Sequence, residues 1–302
     1  MYENTINNSA QLTAHFRSLA SSTQYDVVKL NLLGDTTYTL SEHIWEDQEW
    51  YYASRVAYGQ LIVNGNGATI KCDDGEDLLN FMYIGREANV NFNNVEIRKF
   101  NHVFINQGNL LCQHCSFIEN YAYKLDVYVT GLGTVIHNYN TAVFDYCEFT
   151  DNDAEVMSLG YKDHEKASIL YAEPYSLNIF NCPYGTMYED SFYCCNFTTT
   201  IIYGVDTNMI KNILDKSVFD ENSYFATVDR ELYNVNNKTL VFDVEDKADL
   251  ISVFKMLNTF ITANNVVINL APGTYEFSTG DYNNIIDGAF FYHNKETIDS
   301  LL

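Results

Sequence analysis

The chain contains 302 residues, of which 40 are acidic and 17 are basic, and its formal net charge at pH 7 is −23. A surface this poor in lysine and arginine repels phosphate backbones and anionic membranes, which excludes nucleic-acid binding as the main role. Apolar residues make up 47% of the chain and charged residues 19%, as in folded globular proteins. The 24 tyrosines, 19 phenylalanines and only three prolines favour β-structure.

Residues 1–58 are predicted to form an N-terminal cap. Leu12, Phe16 and Leu19 recur at helical spacing and predict a short amphipathic helix. The alternating pattern that follows predicts two short strands joined by a turn at Gly34–Asp35. A helix with one apolar face can bury that face over the open end of a stack of strands, so we expect this helix to be a capping helix.

The stretch from Ser41 to Tyr58 interrupts this pattern with a concentration of aromatic residues. Tryptophan and tyrosine rings stack on sugar rings and anchor protein interfaces. The candidate ligand-binding residues are therefore Trp45, Trp50, Tyr51 and Tyr52. The alternative is that these rings cover the flank of the stack and fill gaps there.

Residues 59–203 are predicted to form the coils of the stack. A motif with Cys and Phe two residues apart recurs at intervals of about twenty residues or more, which indicates a solenoid. Residues two apart on a strand share one face, so the motif predicts an inward ladder with two columns. One column contains Val95, Cys115, Cys147 and Cys195, and the other contains Ile97, Phe117, Phe149 and Phe197. We expect the cysteines to be packing residues, because free cysteine is commonly buried.

One loop within these coils is rich in aspartate. Asp73, Asp74 and Asp77 are weak calcium candidates, since their spacing does not match an EF-hand. The simpler interpretation is a solvated turn, where aspartate is common. We therefore expect no cofactor, with calcium as the alternative. Within the coils, Arg98 and Lys99 form a cationic pair, and Arg98 is expected to point to solvent because it follows the inward Ile97.

Residues 204–245 lack the Cys-x-Phe motif and are predicted to link or close the stack. After them the chain repeats its own beginning at a constant offset, including the three apolar positions of the first helix. The repeated positions are Leu250, Phe254 and Leu257. Residues 246–302 are therefore predicted to be a second, partial capped unit and the start of a further stack.

The order of these motifs resembles a known family. An amphipathic helix is followed by the strand pair between Val27 and Leu40, then by Ile62 to Ile70 with its Asn-Gly turn, and then by the Cys-x-Phe-x-x-Asn motifs. This order is similar to the right-handed parallel β-helix repeats of adhesin-like surface proteins, which are abundant in methanogenic archaea. The resemblance covers roughly residues 10–200 and restarts at 247. It implies an all-β fold, a pectate-lyase-like solenoid.

The resemblance also implies a function. The expected role is a non-catalytic, extracellular or cell-surface module whose rigid flank binds a polysaccharide or a cell-surface protein. Two alternatives stay open: a β-helix polysaccharide lyase or glycoside hydrolase, and a viral tailspike-like receptor-binding protein. The expectation leans against catalysis, because the hydrolase signatures are absent from the sequence and its acidic clusters suit turns. We recognise no secretory signal and no apolar run that could span a bilayer, although proteins of this kind normally carry a signal.

Overall fold

The protein is built mainly from β-strands, so the predicted all-β class is confirmed. The computed structural model describes residues 1–21, 27–47, 50–73, 79–122, 132–154, 166–167, 170–172, 176–182, 192–194, 198–203, 218–219, 223–228, 233–236, 239–256 and 265–278. Within these ranges neither helix is long and apolar enough to cross a membrane.

The N-terminal region contains the predicted helix between parallel strands. Its elements are β1 (Tyr2–Ile6), α1 (Ser9–Ser21), β2 (Val27–Leu32) and β3 (Thr37–Leu40). The helix starts where the side-chain oxygen of Asn8 accepts a hydrogen bond from the backbone N–H of Gln11 at 3.0 Å, an N-cap arrangement. The apolar face of α1, with Leu12, Phe16 and Leu19, is buried in the main core. The helix therefore covers one end of that core.

A short strand, β4 (Trp45–Asp47), is followed by two long strands that change direction at a shared corner. The long strands are β5 (Trp50–Cys72) and β6 (Leu79–Arg98). β5 and β6 pair in parallel, with a register shift between Asn64 and Ala68. At this corner Asn66 and Asn94 adopt φ angles of 54° and 53°, which asparagine tolerates. Gly65 is required beside them, because a Cβ atom there would lie 2.3 Å from the Asn94 carbonyl oxygen.

The strands that follow are short. They are β7 (Phe104–Asn106), β8 (Asn109–Gln113), β9 (Ser116–Ile118), β10 (Tyr121–Ala122), β11 (Leu132–Gly133), β12 (Ile136–Asn138), β13 (Thr141–Asp145), β14 (Glu148–Thr150), β15 (Asp153–Ala154), β16 (Lys166–Ala167), β17 (Leu170–Ala172), β18 (Leu177–Asn181), β19 (Phe192–Cys194), β20 (Thr199–Tyr203), β21 (Val218–Phe219) and β22 (Tyr224–Val228).

Parallel pairing arranges the strands of the large sheet into three columns, each a row of strands side by side in one register. The first column contains β1, β2, the middle segments of β5 and β6, β8, β13, β18, β20 and β22. The second contains β3, the ends of β5 and β6, β9 and β14. The third contains the starts of β5 and β6, then β7, β12, β17, β19 and β21.

The three columns bury their apolar faces in one core. In the first column one buried position is occupied in successive strands by Phe92, Cys112, Phe144 and Phe180. The Phe144 and Phe180 rings stack with their centroids 5.1 Å apart. In β2 and β8 the alternate residues are only partly buried, as the period of two of a β-strand requires, whereas all five residues of β13 are buried.

The predicted ladder residues in the described ranges are all buried, and they lie in or beside the second column. Ile97, Phe117 and Phe149 occupy paired positions of β6, β9 and β14. The rings of Phe117 and Phe149 stack with centroids 5.3 Å apart. The other buried members are Val95, Cys115 and Cys147. Cys195 and Phe197 lie outside the described residues.

The C-terminal unit is a small separate sheet with one helix. Its elements are β23 (Tyr233–Asn236), β24 (Thr239–Val244), α2 (Lys247–Met256) and β25 (Asn265–Leu270). β24 pairs with β23 in the antiparallel sense and with β25 in the parallel sense. These pairings join residues from Tyr233 onward to the segment that the sequence predicts to begin at residue 246. Leu257, the third of the repeated apolar positions, lies outside the described residues.

The C-terminal unit packs against the outside of the first column. Its buried Phe242 and Leu250 share a second hydrophobic cluster with Val143, Ile179 and Ile201, which point outward from β13, β18 and β20. These outward positions are apolar where a strand would otherwise alternate to polar residues. The sequence of these strands is therefore apolar on both faces because both faces are covered.

Candidate functional site: a cationic groove

An open groove of about 300 Å³ lies on the outward side of the second column. Its lining residues are Thr37, Thr69, Lys71, Glu96, Arg98 and Lys99. Three of the 17 basic residues of the chain therefore meet at one place, in a protein whose net charge is −23. Such a local concentration of cations makes this groove the strongest candidate site for an anionic ligand.

The register of the strands fixes the positions of these side chains. Thr69 of β5 pairs with Glu96 of β6, and Lys71 pairs with Arg98. Residues two apart on one strand point to the same side, and neighbouring strands are about 4.8 Å apart, so the four side chains form a regular array. Lys99 follows at the end of β6 with a φ angle of 63°, where the chain turns.

Arg98 is the central charge of the groove. Its guanidinium forms an ion pair with Glu119 and a longer one with Glu96, with 3.4 Å between Nη1 and Oε1. The hydrogen bond that Arg98 donates to Glu119 is the main reason that the pKa of Arg98 is raised above its ordinary value. Arg98 therefore stays protonated and acts as a hydrogen-bond donor, not as a base. Its Nε–H is buried and has no hydrogen-bond partner among the residues that the structure describes.

The groove combines charge with hydroxyl groups. The Thr69 hydroxyl donates to Glu96 at 3.4 Å, and Thr37 occupies the next position of the same row. Planar guanidinium groups bind carboxylates through paired hydrogen bonds, lysine supplies a further positive charge, and hydroxyls exchange hydrogen bonds with sugar hydroxyls. The arrangement therefore suits a chain that carries both hydroxyl and carboxylate groups.

The structure does not assemble the four predicted aromatic residues into one exposed platform. Tyr52 is only 3% exposed, and its ring contacts that of Tyr83 at a centroid distance of 5.7 Å. Trp45 lies opposite Tyr52 on β4, and the Arg55 guanidinium covers its ring at 3.6 Å from the centroid. Neighbouring side chains thus bury one ring, and a cation covers another.

The other two aromatic candidates are Tyr51, whose side chain the structure describes, and Trp50, whose side chain it does not. Tyr51 is half-buried, packs against the main core and contacts the His43 ring at 5.0 Å. The side chain of Trp50 lies outside the described residues, although its backbone belongs to β5. The rings that can be placed therefore pack against other side chains of the molecule.

The aspartate loop supplies only one described residue. Asp73 is exposed, and its backbone N–H donates to the Leu40 carbonyl at 2.9 Å. Asp74 and Asp77 lie outside the described residues. Among the residues that the structure describes, no group of three or more His, Cys, Asp or Glu side chains could hold a metal ion.

The described cysteines are buried and free, apart from Cys194, whose side chain is not described. They are Cys72, Cys112, Cys115, Cys147 and Cys182. Burial raises the pKa of the Cys182 thiol to about 12 and raises the pKa values of Cys112 and Cys147 well above the ordinary range. The Cys147 thiol donates a weak hydrogen bond to the Cys112 carbonyl at 3.4 Å. Protonated, buried thiols are poor nucleophiles, so Cys112, Cys147 and Cys182 serve packing. Although burial opposes the shift, hydrogen bonds with Cys112 and Cys147 lower the pKa of the Cys115 thiol, which is also buried.

Only part of the groove is evident from the sequence. The cationic pair of Arg98 and Lys99 is visible there, with Arg98 expected to face solvent. Lys71, Thr37 and Thr69 lie about thirty and sixty residues earlier in the chain, and no local pattern joins them to that pair. Aligning Thr37, Thr69 and Glu96 as one outward row would have shown the convergence, but that alignment needs the strand register.

No protein-family model, curated protein or solved structure matches this chain. The functional proposal therefore depends on the geometry and charge of the groove and on the arrangement of the strands around it.

Proposed function

We propose that the three columns are the faces of a right-handed parallel β-helix, in which each turn of the chain adds one strand to each column. Stacked turns with one conformation support this architecture. The turn residues between the first and second columns all have φ angles between 52° and 55°, and they are Asp35, Asn66, Asn94, His114 and Tyr146. Right-handed connection is the rule for parallel strands joined by a crossover.

Side-chain amides that bond from turn to turn give independent support. The Asn106 amide donates to Asn138 at 2.8 Å, and the Asn138 amide donates to Asn178 at 2.6 Å. At another corner the Asn120 amide donates to Asn152 at 2.9 Å. All of these side chains are buried, where an unpaired amide would be costly. Asn106 and Asn138 occupy paired positions, and Asn120 and Asn152 directly precede the paired Tyr121 and Asp153, as a stack of similar turns produces.

The function that the groove supports best is non-catalytic binding of an acidic polysaccharide by a cell-surface, adhesin-like module. One observation carries this proposal: Lys71, Arg98 and Lys99 converge on a fixed strand register in a strongly anionic chain. The groove lies on a rigid face, and a rigid face loses little conformational entropy on binding. Because Arg98 stays protonated, its guanidinium can bind a carboxylate through paired hydrogen bonds.

The experiment is a binding panel with immobilised polygalacturonate and a matched neutral polysaccharide. We expect the wild-type chain to be retained on the acidic polymer and not on the neutral one, and we expect retention to weaken with added salt. Arg98→Gln should reduce the affinity about tenfold, because a charge-assisted pair to a carboxylate is lost. The matched control is Arg17→Gln, which also removes a surface arginine paired with a glutamate, but outside the groove.

Other outcomes would contradict the proposed binding site or favour one of the two alternative functions. Equal retention of the Arg98→Gln and wild-type chains would show that the groove does not bind the polymer. Shortened or unsaturated oligosaccharides in the eluate would support the polysaccharide lyase or glycoside hydrolase alternative. A trimer in light scattering would support the tailspike-like alternative, since proteins of that kind assemble as trimers.

A further inference from the structure

The C-terminal unit repeats the N-terminal cap in three dimensions, and not only in sequence. In the cap, β1 pairs with β2 so that Tyr2 lies opposite Val28. In the C-terminal unit, β24 pairs with β25 so that Leu240 lies opposite Val266. These are the same positions when the two copies are aligned at the constant offset of their helices. Both copies are therefore a strand, a helix and a parallel strand in one register.

The hydrogen bonds at the start of the helix are repeated as well. In the first copy the Asn7 N–H donates to the Gln11 side chain at 2.8 Å, beside the cap from Asn8. In the second copy the Glu245 N–H donates to the Asp249 carboxylate at 2.9 Å, and the Asp246 carboxylate accepts from the Asp249 N–H at 2.9 Å. The same two bonds therefore occur at both helices. They resemble a capping box, except that the second N–H belongs to the residue before the N-cap.

The tyrosine that closes each copy is also equivalent. The Tyr38 hydroxyl donates to the Ile6 carbonyl at 2.6 Å, and the Tyr275 hydroxyl lies 3.4 Å from the Val244 carbonyl in the second copy. The residues after β25 therefore follow the path of β3 closely enough for one tyrosine to reach the same strand end.

The two copies differ in what covers them. In the first copy β5 pairs with β2 and β3 and buries Leu32 and Leu40, which are each 2% exposed. The equivalent residues of the second copy, Leu270 and Phe277, are 52% and 44% exposed. In the part of the chain that the structure describes, β25 pairs with β24 alone. The second copy thus presents a strand edge and an apolar row where the first copy has the next turn.

The first copy also shows which polar contacts a covering strand makes. Asn31 donates its amide to Glu3 and accepts a hydrogen bond from Asn64 of β5 at 2.8 Å. Asn269 is the equivalent residue, and its amide donates to Asp243 at 2.9 Å. The side-chain oxygen of Asn269 therefore corresponds to the acceptor that Asn64 occupies in the first copy.

A charge adds to this complementarity. Thr39 of β3 lies opposite Lys71 of β5, and the residue equivalent to Thr39 in the second copy is the exposed Glu276. A covering strand with a basic residue at the position of Lys71 would place a cation beside Glu276. The surface therefore favours a segment with alternating apolar residues, an asparagine, a Gly/Asn turn and then a basic residue.

We propose that the β25 edge binds such a segment from another polypeptide by parallel strand addition, as β5 covers the first copy. Strand addition supplies main-chain hydrogen bonds for affinity, and side chains at alternate positions give specificity. Leu270 and Phe277 become buried under the added strand, and Asn269 and Glu276 set its register. The partner is a β-strand pair with the chemistry of residues 59–72, which makes the C-terminal unit an acceptor for a further β-module.

The probe is a synthetic peptide of residues 59–72 with Cys72→Ala, labelled at its N-terminus and titrated with the full chain by fluorescence polarisation. We expect saturable binding. Leu270→Glu should weaken it about tenfold or more, because a charge replaces an apolar side chain that the peptide would bury. Val267→Glu is the matched control, since Val267 is exposed as well, at 41%, but points to the opposite side of β25.

The register has its own test. Glu276→Lys should lower the affinity for the peptide about threefold, as expected for one exposed ion pair. A peptide that carries Lys71→Glu should recover the lost affinity in this variant. Equal binding by the Leu270→Glu and Val267→Glu chains would overturn the proposal. Peptide binding that appears only after removal of residues 279–302 would assign the edge to the chain's own segment. A dimer that Leu270→Glu abolishes, without peptide binding, would assign it to a second copy.

Discussion

The two copies of the strand–helix–strand unit differ in burial although they share register, capping and sequence pattern. Phe16 of α1 is fully buried beneath the turns of the stack, whereas the equivalent Phe254 of α2 is only half-buried. In the first copy the apolar face lies against turns formed by the same chain. In the second copy that face lies against the outside of the first column. The sequence pattern therefore determines the strand–helix–strand fold of each copy, and the neighbouring strands determine how much apolar surface its helix buries.

The largest difference should appear when the equivalent phenylalanines are truncated. Phe16→Ala is expected to lower the free energy of unfolding by about 3–5 kcal/mol, because it leaves a cavity next to Phe81, whose ring lies 6.0 Å away. Phe254→Ala should cost about 1–2 kcal/mol, since the side chain is partly exposed. Tryptophan fluorescence in urea reports the stack, because both tryptophans lie there, and hydrogen exchange of residues 239–278 reports the C-terminal unit.

Equal losses at the two positions would contradict the comparison. That result would mean that the flank of the first column buries α2 as completely as the turns of the stack bury α1.

A smaller difference should appear on acidification. Burial lowers the pKa of His102 to about 4, and the nearby His137 acts in the same direction, while the hydrogen bond to the Gly133 carbonyl opposes the shift. The unfolded chain binds a proton at this residue below pH about 6.5, while the folded chain cannot until pH about 4. Stability of the stack is therefore present above pH 6.5 and lost as the pH falls towards 4, by at most about 3 kcal/mol.

The C-terminal unit provides the control for this pH dependence. No histidine occurs between Tyr233 and Ser278, so hydrogen exchange there should lack this contribution. His102→Gln should flatten the pH profile of the stack between pH 6.5 and 4. An unchanged profile in that variant would assign the acid sensitivity to other groups.

Much of this comparison could be predicted from the sequence. The spacing of Leu12, Phe16 and Leu19 predicted the helix, and the constant offset predicted its copy, because both depend on local periodicity. The β-class followed from composition. The groove could not be predicted, because Thr37, Lys71 and Arg98 become neighbours only through the strand register, and the insertions between the motifs hide that register.

Tyr52 illustrates a second limit. Composition made the aromatic segment a plausible platform, but whether a ring is exposed depends on the face of β5 to which it points. A shift of one residue exchanges the two faces of a strand, and nothing within the segment itself sets that phase. Here other side chains cover both faces: Tyr51 packs against the main core, and Tyr52 is buried on the other face beside Trp45 and Tyr83.

The smallest expected difference concerns one glycine in each copy. A Cβ atom at Gly34 would lie 2.8 Å from the Asn66 carbonyl oxygen, because the next turn of the stack packs directly against the β2–β3 turn. At Gly273, in the equivalent turn, a Cβ atom would meet nothing within 4 Å. Gly34→Ala should therefore cost about 1 kcal/mol, since backbone atoms must shift, while Gly273→Ala should change stability by less than about 0.5 kcal/mol.

Urea unfolding of the two variants measures this difference, with hydrogen exchange of residues 265–278 as the local readout for Gly273→Ala. Bound peptide 59–72 sharpens the comparison, because a strand added at the β25 edge would crowd the Gly273 turn as β5 crowds the Gly34 turn. Gly273→Ala should then lower the affinity for the peptide while it leaves the stability of the free chain unchanged. If the substitution has no effect on the affinity for the peptide, the added strand does not continue past the turn, and only the β25 segment is covered.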